Sequence, residues 1–225
     1  MGETISTLVF RPPPPSYLKP ARYFFIDIQP ENRTTLGCGP SNRGCATSSS
    51  NGTCTENDMD CSNTPNDSGE ETEVHKIPAF FIKRKGASLT VLFSHGNAED
   101  LGMMYNRMRE LARVLQVNVM AYDYTGYGHS TGTPSEDMCY RNIEAAYGYL
   151  RDVRGILPSQ IILYGRSLGS GPSCHLAAKS AREGQSVAAL ILHSPFLSVY
   201  RVVMDCGFNM VGDMFLNISH APSIR

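Results

Sequence analysis

From Ile77 onward, short segments of buried-strand character alternate with segments of helical period, and this alternation restricts the fold more than any other feature of the chain. IPAFFIKR, LTVLFSHG, VNVMAYDY, IILYG and VAALIL are short apolar runs rich in β-branched and aromatic residues, the composition of strands covered on both faces. Between the second and third, Met104, Met108, Leu111 and Leu115 recur at spacings of four, three and four, which places them on one face of a helix. Between the third and fourth, Thr133-Pro134-Ser135-Glu136 reads as a capping box with proline at the first helical position. It opens a helix carrying Tyr140, Ile143, Tyr147 and Leu150 on one side. A further helix is expected from Leu168. Apolar strands separated by amphipathic helices require a mainly parallel sheet with helices on both faces, so the expected class is α/β.

The segment before Ile77 divides in two. Residues 1–30 hold a proline-rich strap, Arg11-Pro-Pro-Pro-Pro-Ser16, held extended by its fixed φ angles, and a first strand, YFFIDI. Residues 31–74 are dominated by Asn, Ser, Thr, Gly and Asp, with no Lys or Arg between Arg43 and Lys76. Such a stretch buries too little apolar area to offset its ordering entropy and reads as a disordered acidic and polar insertion. Residues 75–225 form the core, with an apolar segment at 196–218 that reads as a helical cap able to line an acyl pocket, or equally as core packing.

Charge and cysteine usage narrow the function classes. A formal net charge of −1 gives no basic footprint for nucleic acid. No run reaches the roughly 18 apolar residues of a membrane span, because Val187 to Met204 is interrupted by His193, Ser194 and Arg201. The N-terminus lacks a secretory pattern, so a soluble protein on the cytosolic side is expected. Of the seven cysteines, Cys139, Cys174 and Cys206 lie among apolar residues and read as core thiols. Cys38, Cys45, Cys54 and Cys61 are spaced by seven, nine and seven residues, without the paired knuckles of a zinc site. No metal and no cofactor is expected. These four thiols are candidates for acylation or are unengaged.

Three loops after strands could gather chemistry, since in a parallel sheet the carboxyl ends of the strands face one crevice. The strongest is Gly165-Arg166-Ser167-Leu168-Gly169. A strand precedes it and a helix follows, the setting in which a Gly-x-Ser-x-Gly turn holds a serine out as a nucleophile. Gly165 and Gly169 would permit the close backbone approach of such an elbow. Attack on a carbonyl creates an oxyanion, and two backbone amides aimed at it lower the barrier. Leu168 N–H, directly after Ser167, is one candidate donor, and Asn97 N–H, in the loop His95-Gly-Asn-Ala-Glu-Asp100, is the other. His95, Asp123 and His129 read as turn scaffolding. Phosphate-loop readings fail, because GRSLGSGP supplies neither the lysine nor the glycine spacing that they need.

HGNAEDLG, YDYTGYGHSTGTPSE, ILYGRSLGSGP and ILHSPFLS, with the early PPPPSY, resemble the α/β-hydrolase domain-containing protein 17 family of serine hydrolases. The resemblance spans the strap and residues 77 to about 218. It implies an α/β-hydrolase fold and an enzyme acting on acyl bonds, with S-palmitoyl thioesters of proteins, or lipid esters, as substrates and peripheral association with the cytosolic face of membranes. Position by position it implies Ser167 as nucleophile, with Leu168 and Asn97 as oxyanion donors. The chain departs from the family in having no cysteine before Cys38, where members carry a palmitoylated cluster. Met1-Gly2-x-x-x-Ser6 fits a myristoylation frame, though one such chain anchors only marginally.

In this fold the order is nucleophile, then acid, then histidine, on loops after later strands. Asp205, Asp213 and His220 alone follow the last strand in that order, the two carboxylates within the cap segment and His220 just after it, and no triad with Ser167 is expected from them. The expectation is that acid and base lie beyond Arg225, that the last strands and helices are missing, and that 1–225 is the front of a longer enzyme, inactive by itself. The competing reading is a catalytically dead α/β-hydrolase-like binding protein.

Overall fold

The computed structural model describes residues 9–17, 23–28, 75–203 and 212–224. The insertion at 31–74 with its four cysteines, Gly2, Asp205 and Cys206 lie outside the described residues.

Six strands form one sheet: β1 (Phe24–Asp27), β2 (Lys76–Ile82), β3 (Thr90–Ser94), β4 (Asn118–Tyr122), β5 (Ile161–Arg166) and β6 (Ala189–His193), in the order β1-β2-β4-β3-β5-β6. β4, β3, β5 and β6 are parallel, while β1 and β2 add an antiparallel edge. The helices between the parallel strands are α1 (Leu101–Leu115), α2 (Glu136–Gly148) and α3 (Ser170–Arg182). The expected α/β class holds.

Side chains alternate across the sheet with period two. Val91, Phe93, Val119 and Ala121 pack with Leu101, Met104 and Met108 of α1, whereas Leu92, Met120 and Leu163 pack with Ile143 of α2 and Leu176 of α3. Each face of the sheet thus has its own core, as strands apolar on both sides require.

Local details differ from the sequence pattern in three places. The buried face of α1 is Leu101, Met104, Met108 and Ala112, while Leu115 is 59% exposed. The cap of α2 is Ser135, whose hydroxyl accepts from Met138 N at 3.1 Å, and not Thr133. Pro134 therefore precedes the helix. Glu136, freed from a capping box, accepts from Tyr140 Oη at 2.6 Å and from Phe215 N at 2.7 Å. Pro172 lies in the first turn of α3, where an amide has no intrahelical partner to lose.

Among the described residues of the apolar segment beyond β6, 213–216 are not helical. Its described parts are α4 (Val199–Val203) and α5 (Asn217–His220), with Phe215 between them. Phe215 is fully buried, edge-on to Phe10, Tyr140 and Phe196 at centroid distances of 6.1, 5.7 and 6.2 Å. Core packing, rather than pocket lining, is what this side chain does. Cys139 and Cys174 are buried free thiols, and burial pushes the Cys174 thiol up to about 11. Among the described residues no helix is long and apolar enough to cross a membrane.

Candidate active site

Ser167 sits directly after β5 with φ of 50°, in the left-handed region that costs a non-glycine residue about 1–3 kcal/mol. The surrounding backbone enforces it. A Cβ on Gly165 would lie 2.7 Å from both the Gly169 carbonyl carbon and Ser173 Oγ. One on Gly169 would run into the Ser94 carbonyl group and stand 2.9 Å from His95 O. Both glycines are therefore required where the elbow presses on its own helix and on the end of β3. Residues 167–169 make one tight turn into α3, and Ser170 Oγ donates to Ser167 O at 2.6 Å. Ser167 is partly exposed and Leu168 is buried. At a helix start the first amides have no intrahelical acceptor, which describes the position of Leu168 N–H.

The loop after β3 carries Asn97. Its side chain is bonded within the protein: Asn97 Oδ1 accepts from Tyr127 Oη at 2.7 Å and from Arg11 N at 3.0 Å, and Nδ2 donates to Val9 O at 2.6 Å. The strap is thereby fastened to this loop. Ser16 completes the clasp with two bonds to Asp100, the residue that also caps α1, and Tyr17 Oη donates to Asp123 Oδ2 at 2.5 Å. Burial, reinforced by the Asp123 charge, raises the Tyr17 phenol far above its ordinary range, so it stays a donor. The run PPPPSY signals an extended strap; which loops it clasps had no local signature.

His95, Asp123 and His129 all contact this scaffold, although His95 Nε2 makes no hydrogen bond. His95 is buried with Nδ1 2.8 Å from Gly96 O and Nε2 3.4 Å from Asp123 Oδ1. Asp123 Oδ1 accepts from Leu101 N at 2.9 Å, and His129 Nε2 lies 2.7 Å from Tyr17 O. Glu99, which sequence reasoning passed over, bridges the two loops: Oε2 accepts from Gly96 N at 2.8 Å, and Oε1 is paired with Arg166 Nη1.

No histidine or carboxylate among the described residues is hydrogen-bonded to Ser167 Oγ. Asp213 Oδ1 accepts from Tyr200 N and Met214 N at 2.9 and 2.8 Å. His220 stands edge-on to His175 and Tyr140, and His175 is bonded to Glu144 at 2.8 Å. His193 lies 3.1 Å from Tyr164 Oη.

A parallel sheet with a Gly-flanked serine at a left-handed turn after its fifth strand is the arrangement of one fold class. The family model described as alpha/beta hydrolase fold matches residues 90–210, and the chain belongs to that family. Within it, the chain is 41% identical over 152 residues to human alpha/beta hydrolase domain-containing protein 17B, covering 67% of this chain and 51% of that protein. To protein 17C of Xenopus tropicalis it is 48% identical over 117 residues, 52% of this chain and 36% of the relative. The resemblance to the domain-containing protein 17 group, seen first in the motifs, holds at this level. The chain spans about half the length of the curated relatives it matches, or less. Among solved structures, an alpha-beta hydrolase from Vibrio vulnificus superposes with a TM-score of 0.52 at 26% identity, over 67% of this chain and 52% of that one.

Proposed function

We propose that the protein is a serine hydrolase of acyl esters or thioesters, acting on S-palmitoylated proteins at the cytosolic face of membranes. In this reading Ser167 Oγ attacks the acyl carbonyl carbon, and the resulting oxyanion is held by Leu168 N–H and Asn97 N–H, each worth about 2.7–4 kcal/mol to the transition state. The C–S bond breaks and the leaving sulfur takes the proton lost from Ser167 Oγ, departing as the thiol; water then hydrolyses the acyl-serine ester to the carboxylic acid and restores the Ser167 hydroxyl.

The observation that carries the reading is the left-handed backbone of Ser167. A polar residue kept in a strained conformation by two contact-forced glycines indicates a conformation retained for use. The preference for a protein thioester rests on the resemblance to the protein 17 group. The other reading is a binding protein built on the same fold; losing the serine or histidine of a triad costs about 10⁶ in turnover, so the reactivity of Ser167 separates the two.

A fluorophosphonate probe applied to the full-length polypeptide separates the two. A hydrolase is labelled, Ser167→Ala abolishes the labelling, and an S-palmitoylated peptide is cleaved faster than its oxygen ester. A folded protein that takes no label, or labelling that survives Ser167→Ala, refutes the assignment.

A further inference from the structure

Resting on the reading of Ser167 as nucleophile, we propose that Glu99 is a positioning residue: its ion pair with Arg166 sets the separation of the two oxyanion amides. Those amides belong to different loops. β3 and β5 are paired in register only as far as Ser94 and Gly165. Asn97 lies three residues beyond Ser94, and Leu168 three beyond Gly165. The ladder that fixes the strands therefore ends before either donor, and something else must hold the loops at a fixed spacing.

Glu99 is placed to do this. One carboxylate oxygen accepts from Gly96 N at 2.8 Å and so closes the turn that contains Asn97. The other is paired with Arg166, the residue immediately before Ser167. A single carboxylate thus ties the residue preceding Asn97 to the residue preceding the nucleophile. The carboxylate is 14% exposed and the guanidinium 33%, which shields the pair from the screening that makes surface ion pairs weak. The strap reinforces one side only, through Asn97 Oδ1 and Nδ2. The Glu99–Arg166 pair spans both.

Preorganised donors stabilise an oxyanion only when they are already in place. Loosening the brace leaves both amides present but displaced, so the loss falls on the chemical step and not on binding of the acyl chain.

The test compares Glu99→Gln, Arg166→Met and the double variant in the full-length polypeptide, with a p-nitrophenyl acyl ester as substrate. Expected is a fall in kcat of about tenfold or more in each single variant, smaller than for removal of a donor outright, with KM within about twofold. The double variant should be little worse than the worse single one, since both remove the same tie. Arg166→Lys, which keeps the charge, should recover part of the rate. Unchanged kcat in folded Glu99→Gln and Arg166→Met, additive losses, or a rise in KM with kcat intact overturns the proposal. If Glu99→Gln fails to fold, Arg166→Met and Arg166→Lys carry the comparison. Hydrolysis that persists in Ser167→Ala defeats the parent reading instead, so the two failures are distinct.

Discussion

Gly169→Ala is the perturbation that most directly tests whether the elbow is built as described. The added methyl would overlap the Ser94 carbonyl oxygen and stand 2.6 Å from its carbon, and ordinary contact begins at 3.4 Å, so the elbow and the end of β3 must part by more than about 0.8 Å. Both sides are backbone, one in a parallel ladder and the other at the first turn of α3, and neither has a rotamer to change. Overpacking of this kind costs about 1–3 kcal/mol. A displacement near 1 Å between a nucleophile and its donors can also lower a rate by up to about 100-fold. Stability is read by thermal and urea unfolding, and reactivity by the rate of fluorophosphonate labelling well below the transition. Gly171→Ala is the control: its methyl meets the Phe215 ring, a side chain on another segment, so it should destabilise without slowing labelling comparably. A Gly169→Ala protein with wild-type stability and labelling rate, or one indistinguishable from Gly171→Ala in both, refutes the reasoning.

Phe215→Ala removes a fully buried ring from among Phe10, Tyr140 and Phe196 and should cost about 3–5 kcal/mol in chemical denaturation; a loss under about 1 kcal/mol would show that the segment is not docked. His220 is held below its usual 6.5, first by burial and then by the neighbouring His175 and Arg182. The unfolded chain therefore takes up this proton more readily than the folded one, and stability falls as pH drops through and below 6.5. Melting temperatures measured between about pH 7 and pH 5 should decline less steeply in His220→Gln than in the wild type, and an equal slope would disprove the assignment.

The features legible in the sequence are those set by short-range geometry. The glycines at 165 and 169 stand beside the serine they serve, and the strand and helix on either side supply the context in ten residues. The period-two strands predict two cores, one on each face, and the sheet has them. Periodicity matches the buried face of α1 at Met104 and Met108, but the period does not say where burial stops along a helix, and Leu115 in the last turn is exposed.

What escaped was decided by residues distant in sequence. Thr133-x-x-Glu136 satisfies a capping pattern, yet the Glu136 carboxylate goes to Phe215 N, 79 positions away, and the cap moves to Ser135. Ser16 and Tyr17 are unremarkable until β3 and β4 lie side by side and bring Asp100 and Asp123 to one end of the sheet. Glu99 belongs to the same category. In HGNAED it is one more polar residue of a loop, and in GRSLG the arginine is merely the variable position. Their relation exists only because β3 and β5 are neighbours in register, which makes a residue three positions before the second elbow glycine and another five positions after Ser94 converge. A local pattern can therefore nominate Ser167 as nucleophile and Leu168 and Asn97 as donors. A pair such as Glu99–Arg166, proposed to hold those donors apart, becomes visible only when strand order is known, and there structure adds most to the sequence.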